Sequence, residues 1–314
     1  MTHQAHEIVV RGRFFKTAAL RHEWCEFLDY APRVIEQMRD AGLEADLFTF
    51  VNDIGSNGSG YGYHWEMMSV AVLPVTTYEQ WWDDIGFKPR NKIRKAQKSG
   101  VDVRLVNLDD RFAKGVEAIY NESPVRQGRK FVHYGKTAAA IKEELTSFLG
   151  SSIFVGAYFK DELVGFMKLF PGEHALRTIH IIAKLAHREK PVMDILIAKA
   201  VELCAQRKLR YVQYGSWTDG GVGVFRVKHG FERLDVPRYY VPLSMRGQLA
   251  LQLRCHRPVR DLLPHGLVRR VVSLRNKWTA LRYKGGPRIN RDGAADSVAH
   301  KNGLAPDGAN SREG

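Results

Sequence analysis

Arg90, Arg94 and Lys98 recur every fourth residue in FKPRNKIRKAQKS, which sets three cations on one face of a helix. Lys88, Lys92 and Lys95 add to them, and no acid stands between Lys88 and Lys98. A charge run is ordinarily a solvated face, but one without interspersed acids also suits a phosphate-rich ligand. A second cationic group, His187-Arg188-Glu189-Lys190, runs into Pro191 and the apolar series Val192, Ile195, Leu196, Ala198, Val201 and Leu203. Proline at the first helical position wastes no hydrogen bond, so a helix is expected to start there. Its free N–H groups and dipole favour an anion, with Arg188 and Lys190 as anchors for phosphate. The competing reading is an ordinary β-α-β unit with a solvated loop. A third group, residues 121–136, has neither helix nor strand period, yet it sets Arg126, His133, Tyr134 and Lys136 among turn residues. Bases beside aromatics there suggest a structured ligand loop. Arg90, Arg94, Lys95, Arg126, His133, Tyr134 and Lys136 are therefore the expected substrate contacts.

These groups need a scaffold. Thr178–Ala183 and Tyr211–Gly215 read as strands, β-branched and apolar, on either side of the helix expected from Pro191. Val101–Val106, 152–160, 163–170, 176–184 and Arg238–Leu243 read as further strands, the second and third forming a hairpin across Asp161-Glu162. Helices are expected over 32–41, from Thr76 through a capping box with Glu79, over 89–99 with Gly100 as its stop, over 109–122, over 137–149, and briefly over 224–231. Gly55 to Gly60 lacks the Lys-Ser/Thr ending of a phosphate loop; a plain hairpin connection between strands 46–51 and 67–73 is expected instead. Mixed elements around a single sheet indicate α/β or α+β.

The chain of 314 residues carries a net charge of +14 and a pI near 9.7, which favours nucleic acid, an anionic membrane surface or phosphorylated ligands. Cys25, Cys204 and Cys255 show neither metal-ligand nor disulfide spacing, so no metal and a reducing cytoplasm are expected. No secretory leader and no run of about 20 apolar residues is visible. From Ser244 to Lys284 many Arg and Lys face only Asp261, and Leu267, Val271, Leu274, Trp278 and Leu281 repeat at helical spacing. A basic amphipathic helix over 265–284 is expected, suited to an anionic membrane interface or to docking on its own domain. Residues 285–314 are expected to be disordered.

The order of elements over 95–243, with a basic loop entering the central helix, resembles the GNAT (Gcn5-related N-acetyltransferase) fold. Within it NKIRKAQKSGVDV and FRVKHGFERLDVPRYYVPL resemble the Fem-type aminoacyltransferases, which build peptidoglycan cross-bridges from two GNAT-like halves. The resemblance implies a mostly antiparallel mixed sheet flanked by helices, with residues 1–100 a smaller α/β half, 101–243 the acyltransferase domain, 244–284 a basic helical extension and 285–314 a tail. It implies a splayed strand at 178–184 whose N–H groups polarise a carbonyl. It implies a base for the amine, from among His180, Glu189 and Asp194, and an acid for the leaving group, Tyr214 or Tyr239. Each has a structural alternative, since Asp194 also suits a first helical turn and a strand tyrosine is commonly packing. Arg188, Lys190, Val192, Arg226 and Lys228 align with donor-binding positions. The family's glycine-bearing helix entry is replaced by Arg188-Glu189-Lys190-Pro191-Val192-Met193, and its tyrosine in the Tyr-x-Lys-x-Gly-Phe element by Arg226, with Lys228, Gly230 and Phe231 kept. Side chains where hydrogens stood hinder close approach of a pyrophosphate, which weighs against acetyl-CoA and toward aminoacyl-tRNA.

The expected function is acyl or aminoacyl transfer from acyl-CoA or aminoacyl-tRNA to an amine, on an envelope or polysaccharide precursor. Its expected place is the cytoplasm, with the inner face of the membrane as the alternative. The alternative is a non-catalytic GNAT-like module binding RNA or an anionic surface.

Overall fold

The computed structural model describes residues 7–257, except 24, 26, 29 and 56–59. The expected helix at 265–284 and tail at 285–314 lie outside the described residues. Ten strands make one sheet: β1 (Ile8–Arg11), β2 (Thr17–Leu20), β3 (Leu47–Val51), β4 (His64–Pro74), β5 (Val101–Val106), β8 (Ile153–Phe159), β9 (Glu162–Pro171), β10 (Ala175–Ala183), β11 (Tyr211–Ser216) and β12 (Glu232–Pro242). A two-stranded hairpin, β6 (Val125–Arg126) with β7 (Arg129–Lys130), stands apart. The large sheet runs β1-β2-β3-β12-β4-β11-β10-β9-β8-β5, antiparallel except at β2/β3 and β10/β11. One sheet therefore spans both the 1–100 and the 101–243 ranges.

The helices are α1 (Ala31–Asp40), α2 (Tyr78–Asp84), α3 (Phe87–Lys98), α4 (Asp110–Tyr120), α5 (Ala138–Leu145), α6 (Val192–Gln206), α7 (Gly221–Lys228) and α8 (Met245–Gln252). Among the described residues no helix is long and apolar enough to cross a membrane. Side chains alternate across a strand, and the neighbours Phe166 and Met167 divide the core accordingly. Met167, Leu169 and Ile181 join α6, Ile93 and Ala96 of α3 and Trp81 of α2. Phe166, Phe154 and Ile182 join α4 and α5 on the opposite face. Helix α6 is buried on nearly every side, from Val192 to Cys204, because it lies between the sheet and α2 and α3.

Three expectations change. Strands β3 and β4 are not a hairpin, because β12 lies between them and pairs with both. The α2 cap is Thr77 rather than Thr76; its Oγ1 accepts the Gln80 N–H at 3.1 Å. The final strand begins at Glu232, not Arg238, and is eleven residues long.

Candidate functional site

The parallel neighbours β10 and β11 pair only at Ala175/Tyr211, Leu176/Val212 and Arg177/Gln213. Beyond that point β10 runs on to Ala183 and β11 to Ser216 without facing each other, so the sheet opens between them. Both outer ladders lose register at the same level, β10 against β9 between Thr178 and His180, and β11 against β4 between Gln213 and Ser216. A bulge bends and twists its strand, and two of them here carry the strands apart. The chain leaves β10 into the 184–191 loop and α6, and leaves β11 into α7, so both helix starts belong to this opening.

On the α6 side the buried Asp194 places Oδ1 3.3 Å from His229 Nε2 and 3.8 Å from Lys92 Nζ. His229 Nδ1 lies 2.8 Å from the Phe225 carbonyl, an arrangement that puts a hydrogen on Nδ1. The Trp81 indole donates to the His229 carbonyl at 2.9 Å. Arg226, one turn before His229, is completely buried. Its guanidinium lies 4.3 Å from the centroid of the Tyr214 ring, and Nη1 donates to the Ser216 carbonyl at 2.6 Å. Both partners sit on the part of β11 that β10 has left. Among the described residues Arg226 Nε and Nη2 have no hydrogen-bond partner, and burial lowers the guanidinium to about 10. Buried polar atoms are nearly always paired, directly or through water; these two nitrogens beside an opening in the sheet therefore call for a water or a guest.

On the opposite face His180, on the diverging part of β10, meets His133 with ring centroids 5.7 Å apart, and His133 stacks on Tyr120 at 4.5 Å. With Ile181 and Ile182 these three line a narrow recess. The Tyr120 hydroxyl has no hydrogen-bond partner among the described residues, and burial pushes its ionisation far up. Behind His133, Lys136 Nζ reaches Glu144 Oε2 at 2.6 Å and His133 Nδ1 at 3.1 Å, while Glu144 Oε1 lies 3.5 Å from that same nitrogen. Burial alone would raise the Glu144 carboxyl; hydrogen bonds and charge from His133 and Lys136 outweigh it and hold the group at about 2.

The remaining expected residues scatter. Arg126 is buried and structural: Nη1 donates to Ala183 O, and Nη2 to Ile119 O, each at 2.8 Å. That ties the hairpin of β6 and β7 to the ends of β10 and α4. Tyr134 is exposed. Arg94 lies over the Trp82 ring at 5.2 Å, Arg90 is half-buried, and Lys95 is exposed on α3. The α3 bases and the 126–136 residues thus lie on opposite faces of the sheet and make no common site. Lys190 pairs with Glu189 at 2.5 Å and lies over the Phe159 ring at 4.2 Å, turned from the helix start; that bond lowers the Glu189 carboxyl and makes it a poor base. Arg188 and Lys228 are exposed. Val192 is core, packed into the space that Gly165 leaves. Tyr239 is packing too: it stacks on Phe50 at 5.1 Å within the cluster of α1, two strands from the opening.

Sequence reasoning missed His229, Tyr120 and Glu144. His229 had a signal, since it follows Arg226 by three residues on one helix and so shares its face. Tyr120 and Glu144 had none, because only the sheet brings their helices to the recess.

No family model and no curated protein sequence matches this chain. Solved structures do. FemX shares 9% identity over 79% of this chain and 86% of its own, with a TM-score of 0.58. The structure of L-PGS from Bacillus licheniformis shares 14% over 79% and 84%, at 0.51. A C-terminal domain assigned to a lysylphosphatidylglycerol synthetase of Agrobacterium fabrum shares 14% over 78% and 82%, at 0.52. The fold is GNAT-like, of the Fem type. Each match spans more than three quarters of the chain, in keeping with the mixed, mostly antiparallel sheet flanked by helices expected from the sequence.

Proposed function

We propose that the protein transfers an acyl group, most simply an aminoacyl group, from a phosphate-bearing donor to an amine. The observation that carries this reading is Arg226, a fully buried cation with two unpartnered nitrogens beside the opening between β10 and β11. An anionic part of the donor meets Arg226 and the start of α6, where free N–H groups and the dipole add to the attraction. The donor carbonyl lies between the parted strands, where backbone N–H groups polarise it. His180, on the diverging segment of β10 and on the opposite face from Arg226, takes the proton of an amine that enters the opening from that side, and Tyr214 supports the leaving group from β11. Asp194 and His229, 3.3 Å apart, bring the end of α7 up against the first turn of α6. The core position of Val192 leaves no glycine bed for a pyrophosphate at the helix entry, which favours aminoacyl-tRNA over acyl-CoA. The lysyl group in the name of the lysylphosphatidylglycerol synthetase domain fits an aminoacyl group as the one transferred.

The test incubates the full chain with tRNA charged with labelled amino acids and, separately, with labelled acetyl-CoA, in the presence of envelope amines. Label transferred from tRNA and lost in Arg226→Met supports the reading; transfer from acetyl-CoA alone changes the donor. Salt-dependent RNA binding with no transfer from either supports the non-catalytic alternative.

A further inference from the structure

We propose that His64, Glu66 and His256 form a zinc site, remote from the opening in the sheet. His64 and Glu66 stand two apart at the start of β4, which puts both side chains on one face of the sheet. His256 comes from the chain just beyond α8, far away in sequence. One nitrogen from each histidine and one Glu66 oxygen all lie within 4.8 Å of one another. Two of the separations are 3.0 Å, His256 Nε2 to Glu66 Oε1, and 3.6 Å, His64 Nε2 to the same oxygen. A tetrahedral zinc ion with bonds of about 2.0–2.2 Å spaces its ligand atoms about 3.3–3.6 Å apart, so these two separations bracket the required edge. The third, between the imidazole nitrogens, lies within 4.8 Å and closes by rotation of the exposed His64. The His256 side chain is completely buried and packs 4.7 Å from the Tyr240 ring, which fixes its plane. His64 is 46% exposed, which leaves an entry path and room for a water as fourth ligand.

Two imidazoles and one carboxylate suit zinc and discriminate against magnesium and calcium, which take oxygen ligands. Arg257 is the competitor, with Nε 2.8 Å and Nη2 2.7 Å from Glu66 Oε1. In the ion-free protein the guanidinium supplies the positive charge that zinc would bring, and zinc must take the carboxylate from it. The consequence of binding is a staple between the segment that follows α8 and the sheet, independent of any transfer chemistry.

The experiment titrates metal-free, untagged full-length protein with zinc chloride by calorimetry. One ion per chain is expected, with a higher Tm. Affinity should fall at least about tenfold in His256→Ala and in Glu66→Gln, which keeps the shape of the side chain. Arg257→Gln should bind more tightly. Magnesium chloride should give no saturable heat. The proposal falls if wild type and Arg257→Gln both fail to bind zinc, or if His64→Ala/His256→Ala binds it with unchanged stoichiometry and affinity.

Discussion

Replacing Arg226 by methionine should leave the protein about as stable as before while removing donor binding. Burial holds the guanidinium at about 10, about 2.5 below its ordinary value. At about 1.4 kcal/mol for each pH unit, the folded state disfavours the charged form by about 3 kcal/mol. The unfolded chain holds this proton more tightly, so the cost is fully present at pH 7 and eases only as the pH climbs past about 10. Methionine removes that cost. It also removes the contact with the Tyr214 ring, worth about 1–2 kcal/mol, and the bond to the Ser216 carbonyl, worth about 1–1.5 kcal/mol. The balance lies within about 1 kcal/mol of zero, a Tm change of about 2–4 °C at most. Thermal unfolding followed by circular dichroism measures the first quantity and equilibrium binding of charged tRNA the second, with a loss of at least about tenfold expected. A variant destabilised by 3 kcal/mol or more would show that Arg226 is a structural arginine. Unchanged donor affinity would refute its role even if stability behaved as expected.

Glu144→Gln should flatten the acid limb of the stability profile. A carboxyl held at about 2 stabilises the fold above its ordinary range, and that contribution is lost as pH falls from about 4.5 to about 2. About 1.4 kcal/mol per pH unit gives about 3.5 kcal/mol, and solvent screening of a partly exposed group brings this to about 2 kcal/mol. The wild type should lose that much there in denaturant titrations, and the variant should not. Lys168, buried against the Leu145 and Ser147 carbonyls, is lowered by burial to about 8. Its cost is therefore fully present below about 8 and eases between there and about 10.5, so wild-type stability should rise across that window and Lys168→Met should lose the rise. Gly165→Ala would set a Cβ 2.5 Å from Val192 Cγ1 and 3.2 Å from Ile182 O. Overpacking of this kind should cost about 1–3 kcal/mol, and Val192→Ala in the same chain should recover much of it, which a double-mutant cycle would read as coupling.

The elements around the opening were legible because their patterns are local. A β-branched run, a proline and a long apolar series announce β10 and α6, and Ile93 and Ala96 mark the inward face of α3 against its cations. Strand order was not legible, since adjacency in sequence suggests a β3–β4 hairpin and nothing local tells β12 to enter between them. Residues 121–136 show the limit from the other side. Gln127 and Gly128, with φ of 50° and 71°, make the tight turn of a hairpin that Arg-Gln-Gly-Arg encodes only weakly. Whether Arg126 meets a ligand or two carbonyls depends on where β10 ends, information held sixty residues away. Tyr214 and Tyr239 are equivalent strand tyrosines in the sequence; position in the sheet alone puts one beneath Arg226 and the other beside Phe50.

The placement of β12 bears on how this chain is made. When a ribosome has delivered residues up to about 220, β4 has gained β11, but its other edge and that of β3 still wait for the strand that will join them. Two partial sheets with bare edges must coexist until residues 232–242 emerge, and exposed edges recruit other chains. Synthesis should therefore be most aggregation-prone just before β12 is released, and fragments that stop short of it should be soluble only when a partner covers those edges.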